Sequence, residues 1–186
     1  MKPMEVVRSF KNTKFIKYLF ILLIGSVLLA ISSKIKIPFY PVPMTMQTFV
    51  VLFIGIAFGW KLGVATVSLY LFEGLMGLPV FSGTPEKGLG VVYFTGPTMG
   101  YLIGFILTVY LAGKFNYDGS LVRTFFKLIF ATSFIYIFGL IWLGSLIGWE
   151  KPIFQLGAQP FLFAELFKIL LITLTANQIK KFKKII

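Results

Sequence analysis

Long apolar runs decide what this chain can fold into. Phe15–Ser33, Met46–Pro79, Pro97–Gly113, Phe125–Ile147 and Pro160–Ile179 are almost free of charge. A helix needs about 20 mainly apolar residues to cross a bilayer. In lipid the backbone must satisfy its own N–H and C=O groups, which leaves helices or closed barrels, and runs this long select helices. Of 186 residues, 58% are apolar and only 13% are charged, against about 25% charged in a soluble domain. Disorder needs low hydrophobicity and is excluded. The formal charge of +12 would suit a nucleic-acid surface, but there is almost no polar surface to display it, so no nucleic-acid partner is expected. The absence of Cys and His removes disulfides, thiolate nucleophiles, imidazole bases and almost every zinc or copper site. No metal site is expected. The chain reads as an all-α integral membrane protein forming one membrane domain over 1–186.

Six spans account for most of the length. The first covers 15–33; its basic leader is not followed by a signal-peptide cleavage pattern, so it is read as a retained helix. Met46–Pro79 is too long for one span and is broken by Gly59-Trp60-Lys61-Leu62-Gly63, because glycine loosens a helix and Lys61 is costly away from an interface. Two short helices, 46–60 and 62–79, joined by a tight turn are expected. The remaining spans are 97–113, 125–147 and 160–179, with Pro97 and Pro160 in first turns, where proline is tolerated. With the N-terminus inside, cytoplasmic segments hold thirteen of the 18 basic residues: Lys2, Arg8, Lys11, Lys14, Lys17, Lys61, Lys114, Arg123, Lys127, Lys180, Lys181, Lys183 and Lys184. Outer connections hold Lys34, Lys36, Lys87 and Lys151. That bias predicts both termini in the cytoplasm.

Several activities are absent from the sequence. No Gly-x-x-x-x-Gly-Lys-[Ser/Thr] loop is present, so ATP hydrolysis by that route is excluded. Asp118 is the sole Asp and lies in a loop, which removes paired-aspartate hydrolysis. No repeated filter or ring of like charge suggests a channel. A Ser–Lys enzyme using Lys168 stays open, as does a membrane scaffold, beside small-molecule binding or transport.

Three ionisable residues fall within spans: Glu73, Glu165 and Lys168. Each costs about 2.5–3.5 kcal/mol on insertion scales and marks a functional site by default. Glu165 and Lys168 are three apart and share a helix face, about 8 and 12 Å below Pro160 along the helix. The trio is either a structural ion pair joining the third and sixth helices, or the wall of an outward-facing pocket for a small polar-headed ligand. Two outer connections would roof such a pocket. Residues 34–45 include Pro38, Pro41 and Pro43 and are expected to run extended, in a polyproline-like path, with Thr45 as N-cap of the second helix and Gln47 in its first turn. Residues 80–96 are rich in Gly and apolar side chains. Small residues recur every fourth position at Gly96, Gly100 and Gly104, at Gly55, Gly59 and Gly63, and at Ser26 and Ala30, spacing that lets helix backbones approach closely.

Val42-Pro43-Met44-Thr45-Met46-Gln47-Thr48, Gly77-Leu78-Pro79-Val80-Phe81, Gly96-Pro97-Thr98 and Gly100-Tyr101-Leu102 with Gly104-Phe105 resemble the BioY family, the biotin-specific S components of energy-coupling factor (ECF) transporters. The resemblance covers about Gly25 to Lys168. It implies the six-helix S-component fold and biotin capture near the outer surface of a prokaryotic plasma membrane. It implies as partners a transmembrane coupling subunit and two cytoplasmic subunits that bind ATP, with no cofactor on this chain. The family's first helix docks the coupling subunit through an Ala-x-x-x-Ala face, whose positions Ser26 and Ala30 fill here. Its sixth helix reads Pro-Phe-Leu-Pro-Gly-Asp-Leu-x-Lys; this chain has Pro160-Phe161-Leu162-Phe163-Ala164-Glu165-Leu166-Phe167-Lys168. The acid is longer, the Pro-Gly is absent, and Met99 stands where the family has a further Gly. Biotin offers two ureido N–H donors, a ureido oxygen, an apolar thioether ring and chain, and a carboxylate. Glu165 would accept a ureido N–H, and Lys168 would meet either the ureido oxygen or the carboxylate. Gln47, Ser82 and Thr84 would add polar contacts, Phe81, Tyr93 and Tyr101 would pack the apolar part, and Glu73 is a further candidate. An S component for another vitamin is the alternative within transport.

Overall fold

The computed structural model describes residues 3–118 and 120–185, with side chains over 14–118 and 120–183. Lys2 lies outside the described residues, as do the side chains of Arg8, Lys11 and Lys184. The elements in order are α1 (Pro3–Lys34), β1 (Lys36–Ile37), β2 (Met44–Thr45), α2 (Gln47–Leu75), α3 (Val91–Phe94), α4 (Met99–Lys114) and α5 (Leu121–Ile147). They are followed by α6 (Ile153–Gly157), a 3-10 turn (Gln159–Phe161), α7 (Leu162–Ile179) and α8 (Phe182–Ile185). Four stretches are long and apolar enough to cross a membrane by length and composition: Lys14–Lys34, Gln47–Leu75, Leu121–Ile147 and Ile153–Ile179; α4 is a shorter apolar helix.

Within α2, Gly59 is non-helical, at φ 75° and ψ 172°, a conformation that only glycine adopts without strain. The chain doubles back there. A Cβ on Gly63 would lie 3.6 Å from the Gly55 Cα, whereas eight residues of straight helix would separate the two by about 12 Å. Gln47 also reaches across the hairpin, its Nε2 donating to the Tyr70 hydroxyl at 2.7 Å. α2 therefore holds two antiparallel limbs, residues 47–58 and 60–75. The first limb is the most enclosed helix of the bundle, burying Val51, Leu52, Ile54, Ile56 and Ala57. It packs between α4 and α7. The glycine spacing is used for close packing: Gly55 faces Ala112 and Val109 of α4, and Gly104 of α4 faces the Ile135 backbone of α5.

The apolar interior forms two clusters. One gathers Tyr70, Phe81, Tyr93, Tyr101 and Phe105. The other gathers Leu52, Ile56, Tyr117, Leu128 and Ile172 towards the Gly59 turn. At that turn Trp60 packs edge-on to Tyr110, 5.7 Å between centroids, with Lys61 at 5.5 Å and Lys114 at 5.9 Å from its ring. Lys180 pairs with Asp118 at the same end.

Several expected boundaries shift. Residues 34–45 form a hairpin rather than a polyproline path, β1 pairing antiparallel with β2 in the register Lys36↔Thr45 and Ile37↔Met44. Thr45 is thereby a strand residue and Met46 is the N-cap of α2, although the Thr45 hydroxyl still accepts from the Gln47 backbone N–H at 3.3 Å. The second limb of α2 ends at Leu75 instead of 79, before Gly77 at φ 93° and Pro79. α5 begins at Leu121 instead of 125 because Ser120 caps it, accepting from the Arg123 N–H. Pro160 sits in the 3-10 turn that leads into α7.

Candidate functional site

The inward face of α7 repeats at helical spacing: Glu165, Lys168, Ile169, Ile172, Thr173, Ala176 and Ile179 are buried. Phe163, Phe167 and Leu174 on the other face are exposed, as suits a helix with one side in lipid. The two charged residues of α7 thus point into the protein, each 5% exposed. Lys168 Nζ donates to Glu165 Oε1 at 2.5 Å, to the Thr45 carbonyl at 2.6 Å and to Thr48 Oγ1 at 3.1 Å. Those three bonds use every N–H of the ammonium group. The Thr48 hydroxyl in turn donates to Glu165 Oε1 at 2.7 Å. One carboxylate oxygen is therefore held from two sides. The other, Oε2, is buried and has no hydrogen-bond partner among the described residues. A buried carboxylate oxygen left in that condition is costly unless something donates to it.

Glu165 and Lys168 border a small, half-open cavity. β2 and the start of α2 supply Met44, Thr45, Gln47 and Thr48. Ser82 and Tyr93 come from the 80–96 connection, Tyr101, Leu102 and Phe105 from α4, Tyr136 from α5, and Phe161 from the turn before α7. Ser82 Oγ is a second buried polar atom without a partner among the described residues. Tyr93 fixes that residue from behind, its hydroxyl donating to the Ser82 carbonyl at 2.7 Å. Burial pushes the Tyr93 phenol above its ordinary pKa, so it remains a donor at neutral pH. Tyr101 donates to the Gly157 carbonyl at 2.8 Å, bringing α6 against the rim. The walls are largely apolar and aromatic, while the polar atoms gather where α7 meets α2. Such a site suits a compact ligand with an apolar body and an N–H-bearing head.

Six of the sequence-level candidates line this space: Gln47, Ser82, Tyr93, Tyr101, Glu165 and Lys168. Three stand elsewhere. Phe81 is buried behind the wall, stacked on Tyr93 at 4.7 Å and edge-on to Tyr70 at 5.2 Å. The Thr84 hydroxyl donates to the Phe81 carbonyl at 2.7 Å, which folds its own loop. Glu73 faces α1, where its Oε1 accepts from the Ser26 hydroxyl at 3.0 Å. That contact also turns Ser26 inward, at 1% exposed, and Ala30 packs against the core cluster. The surface that α1 presents outward is instead Leu23, Ile24, Val27 and Ile31. Thr48, Tyr136 and Phe161 are site residues that sequence reasoning missed. Thr48 lay within the quoted Val42–Thr48 motif, and that motif was the available signal.

Comparison with known proteins identifies relatives of the chain and of its fold. The chain is 33% identical over 159 residues to the biotin transporter BioY of Thermotoga maritima, covering 85% of this chain and 92% of that one. It is 31% identical over 157 residues to a probable biotin transporter BioY of Pyrococcus horikoshii, covering 82% and 90%. Its fold matches the crystal structure of the S component for biotin from an ECF-type ABC transporter, with a TM-score of 0.72 and 26% identity over 91% of this chain and 94% of that one. The BioY family profile matches residues 4–184. With the profile covering nearly the whole chain and relatives above 30% identity along most of it, the chain belongs to the BioY family.

Proposed function

We propose that this chain captures biotin as the membrane S component of an ECF-type vitamin importer. The observation that carries the reading is the buried Glu165 carboxylate beside the cavity, one oxygen locked by Lys168 and Thr48 and the other without a hydrogen-bond partner among the described residues. A ureido N–H is a donor of matching geometry for that oxygen. Lys168, with all three of its N–H bonds committed, holds Glu165 in position. Its own contact with ligand requires giving up one of those partners. The Ser82 hydroxyl and the remaining Gln47 amide N–H supply donors for the ureido oxygen or the carboxylate, and Tyr101, Tyr136 and Phe161 enclose the apolar ring and chain.

Capture on this chain and energy from elsewhere follow from the same reading. The chain has no phosphate loop, so a coupling subunit and two ATP-binding subunits would drive release to the inside. Six crossings with both termini cytoplasmic, in a prokaryotic plasma membrane, fit the distribution of basic residues. The test is equilibrium binding of radiolabelled biotin to purified protein. Stoichiometric binding is expected in the parent, and Glu165→Gln, which keeps the shape of the side chain, should weaken it about 10- to 150-fold, the equivalent of a lost charged hydrogen bond of about 1.5–3 kcal/mol. A parent that does not bind, or a variant that binds like the parent, rejects the assignment.

A further inference from the structure

The last turn of α1 ends beside the roof of the cavity and bonds to it. Ser33 Oγ lies 2.8 Å from the Val80 carbonyl. Lys34 Nζ donates to the Phe81 carbonyl at 2.8 Å, to Thr84 Oγ1 at 3.0 Å and to the Thr84 carbonyl at 3.3 Å. From the other side the Tyr70 hydroxyl donates to the Val80 carbonyl at 3.0 Å, and Tyr93 takes the Ser82 carbonyl. Four of the five carbonyls from Val80 to Thr84 are thus bound by side chains from outside the segment, and Lys34 reaches two of them, sharing the Phe81 carbonyl with the Thr84 hydroxyl. The segment belongs to no helix or strand, and it turns at Gly83 with φ 83°. A short stretch without its own ladder takes its shape from the groups that satisfy its backbone.

A lysine in the last turn of a helix ordinarily favours that helix's own C-terminal carbonyls. Lys34 does otherwise. Its ammonium crosses to residues 47 and 50 positions further along the chain, where a charged donor holds neutral carbonyls more firmly than a hydroxyl does. Between its two targets lie Gly83 and Ser82, and Ser82, whose Oγ has no partner among the described residues, lines the cavity.

We propose that Lys34 is a positioning residue of the ligand site: its ammonium clamps the 81–84 backbone so that Ser82 faces the cavity and the roof stays shut over a bound ligand. This rests on the biotin reading for the identity of the ligand but not for the clamp itself. Two measurements on the full-length protein keep the two apart. In ligand-free protein, hydrogen exchange at the Thr84, Lys87 and Gly88 amides, which close the turns of this connection, should rise at least tenfold in Lys34→Met. Exchange in α4 and α5 should stay unchanged. Radiolabelled biotin should dissociate from Lys34→Met at least tenfold faster than from the parent. Lys34→Arg, which keeps a charged donor of similar reach, should restore both readouts to within about threefold of the parent.

Unchanged exchange in Lys34→Met overturns the clamp. So does faster exchange with an unchanged biotin dissociation rate, or a rise in exchange spread evenly over the whole bundle, which would mark a general stability role. A parent that fails to bind biotin while Lys34→Met still loosens residues 80–88 rejects the ligand and leaves the clamp standing.

Discussion

At the scale of single residues, an apolar chain makes its chemistry visible by contrast. Glu165 and Lys168 stand out because an ionisable group in a span is expensive, and their spacing of three places them together on one face. Thr48 does not stand out, since a threonine in a first turn is ordinary; its meeting with Glu165 across 117 residues of sequence exists only in the fold. Glu73 shows the converse. Its cost in a span is as large, but the phase of the second limb of α2 turns it to Ser26, and no local pattern gives that phase. Thr48→Val keeps the volume and removes a hydroxyl that donates to Glu165 and accepts from Lys168. It should weaken biotin binding about 5- to 30-fold, equivalent to about 1–2 kcal/mol, in the same equilibrium assay, with little change in thermal stability.

At the scale of elements, the helices were legible in the sequence and their ends and connections were not. Apolar length gave the spans, and the Gly59 break separated two limbs that length alone would have merged. The ends moved because caps and strand pairing compete for the same residues: Thr45 joined β2, Ser120 took up a cap five residues before the expected start of α5. The 34–45 hairpin pairs through backbone groups on either side of its prolines, a feature that side-chain patterns do not record. The glycine spacing carried more structural information than any loop. A Cβ at Gly104 would sit 2.6 Å from the Ile135 Cα, and α5 cannot move away without opening the Tyr101 side of the site. Gly104→Val should cost on the order of 1–3 kcal/mol through overpacking, read as a lower midpoint of thermal unfolding in detergent.

At the scale of the whole molecule, charge and length act together. The Trp60 turn with Lys61 and Lys114, the Lys180–Asp118 pair and the basic tail collect at one end of the bundle, and the ligand cavity lies at the other. Reporters fused to either terminus should both be accessible only from the cytoplasm; an N-terminal reporter exposed outside the cell would invert the topology. The enclosed first limb of α2 gives this end-to-end division a geometric origin. Residues 47–58 rise only about 18 Å, against a hydrocarbon core of about 30 Å. The long outer helices α1 and α5 are long enough to cross the full depth, while the central column is about 12 Å shorter than that core. A ligand held by Glu165 at the start of that limb would occupy the vertical gap that a truncated axial helix leaves, so that a vitamin rather than another turn of polypeptide would complete the middle of the protein.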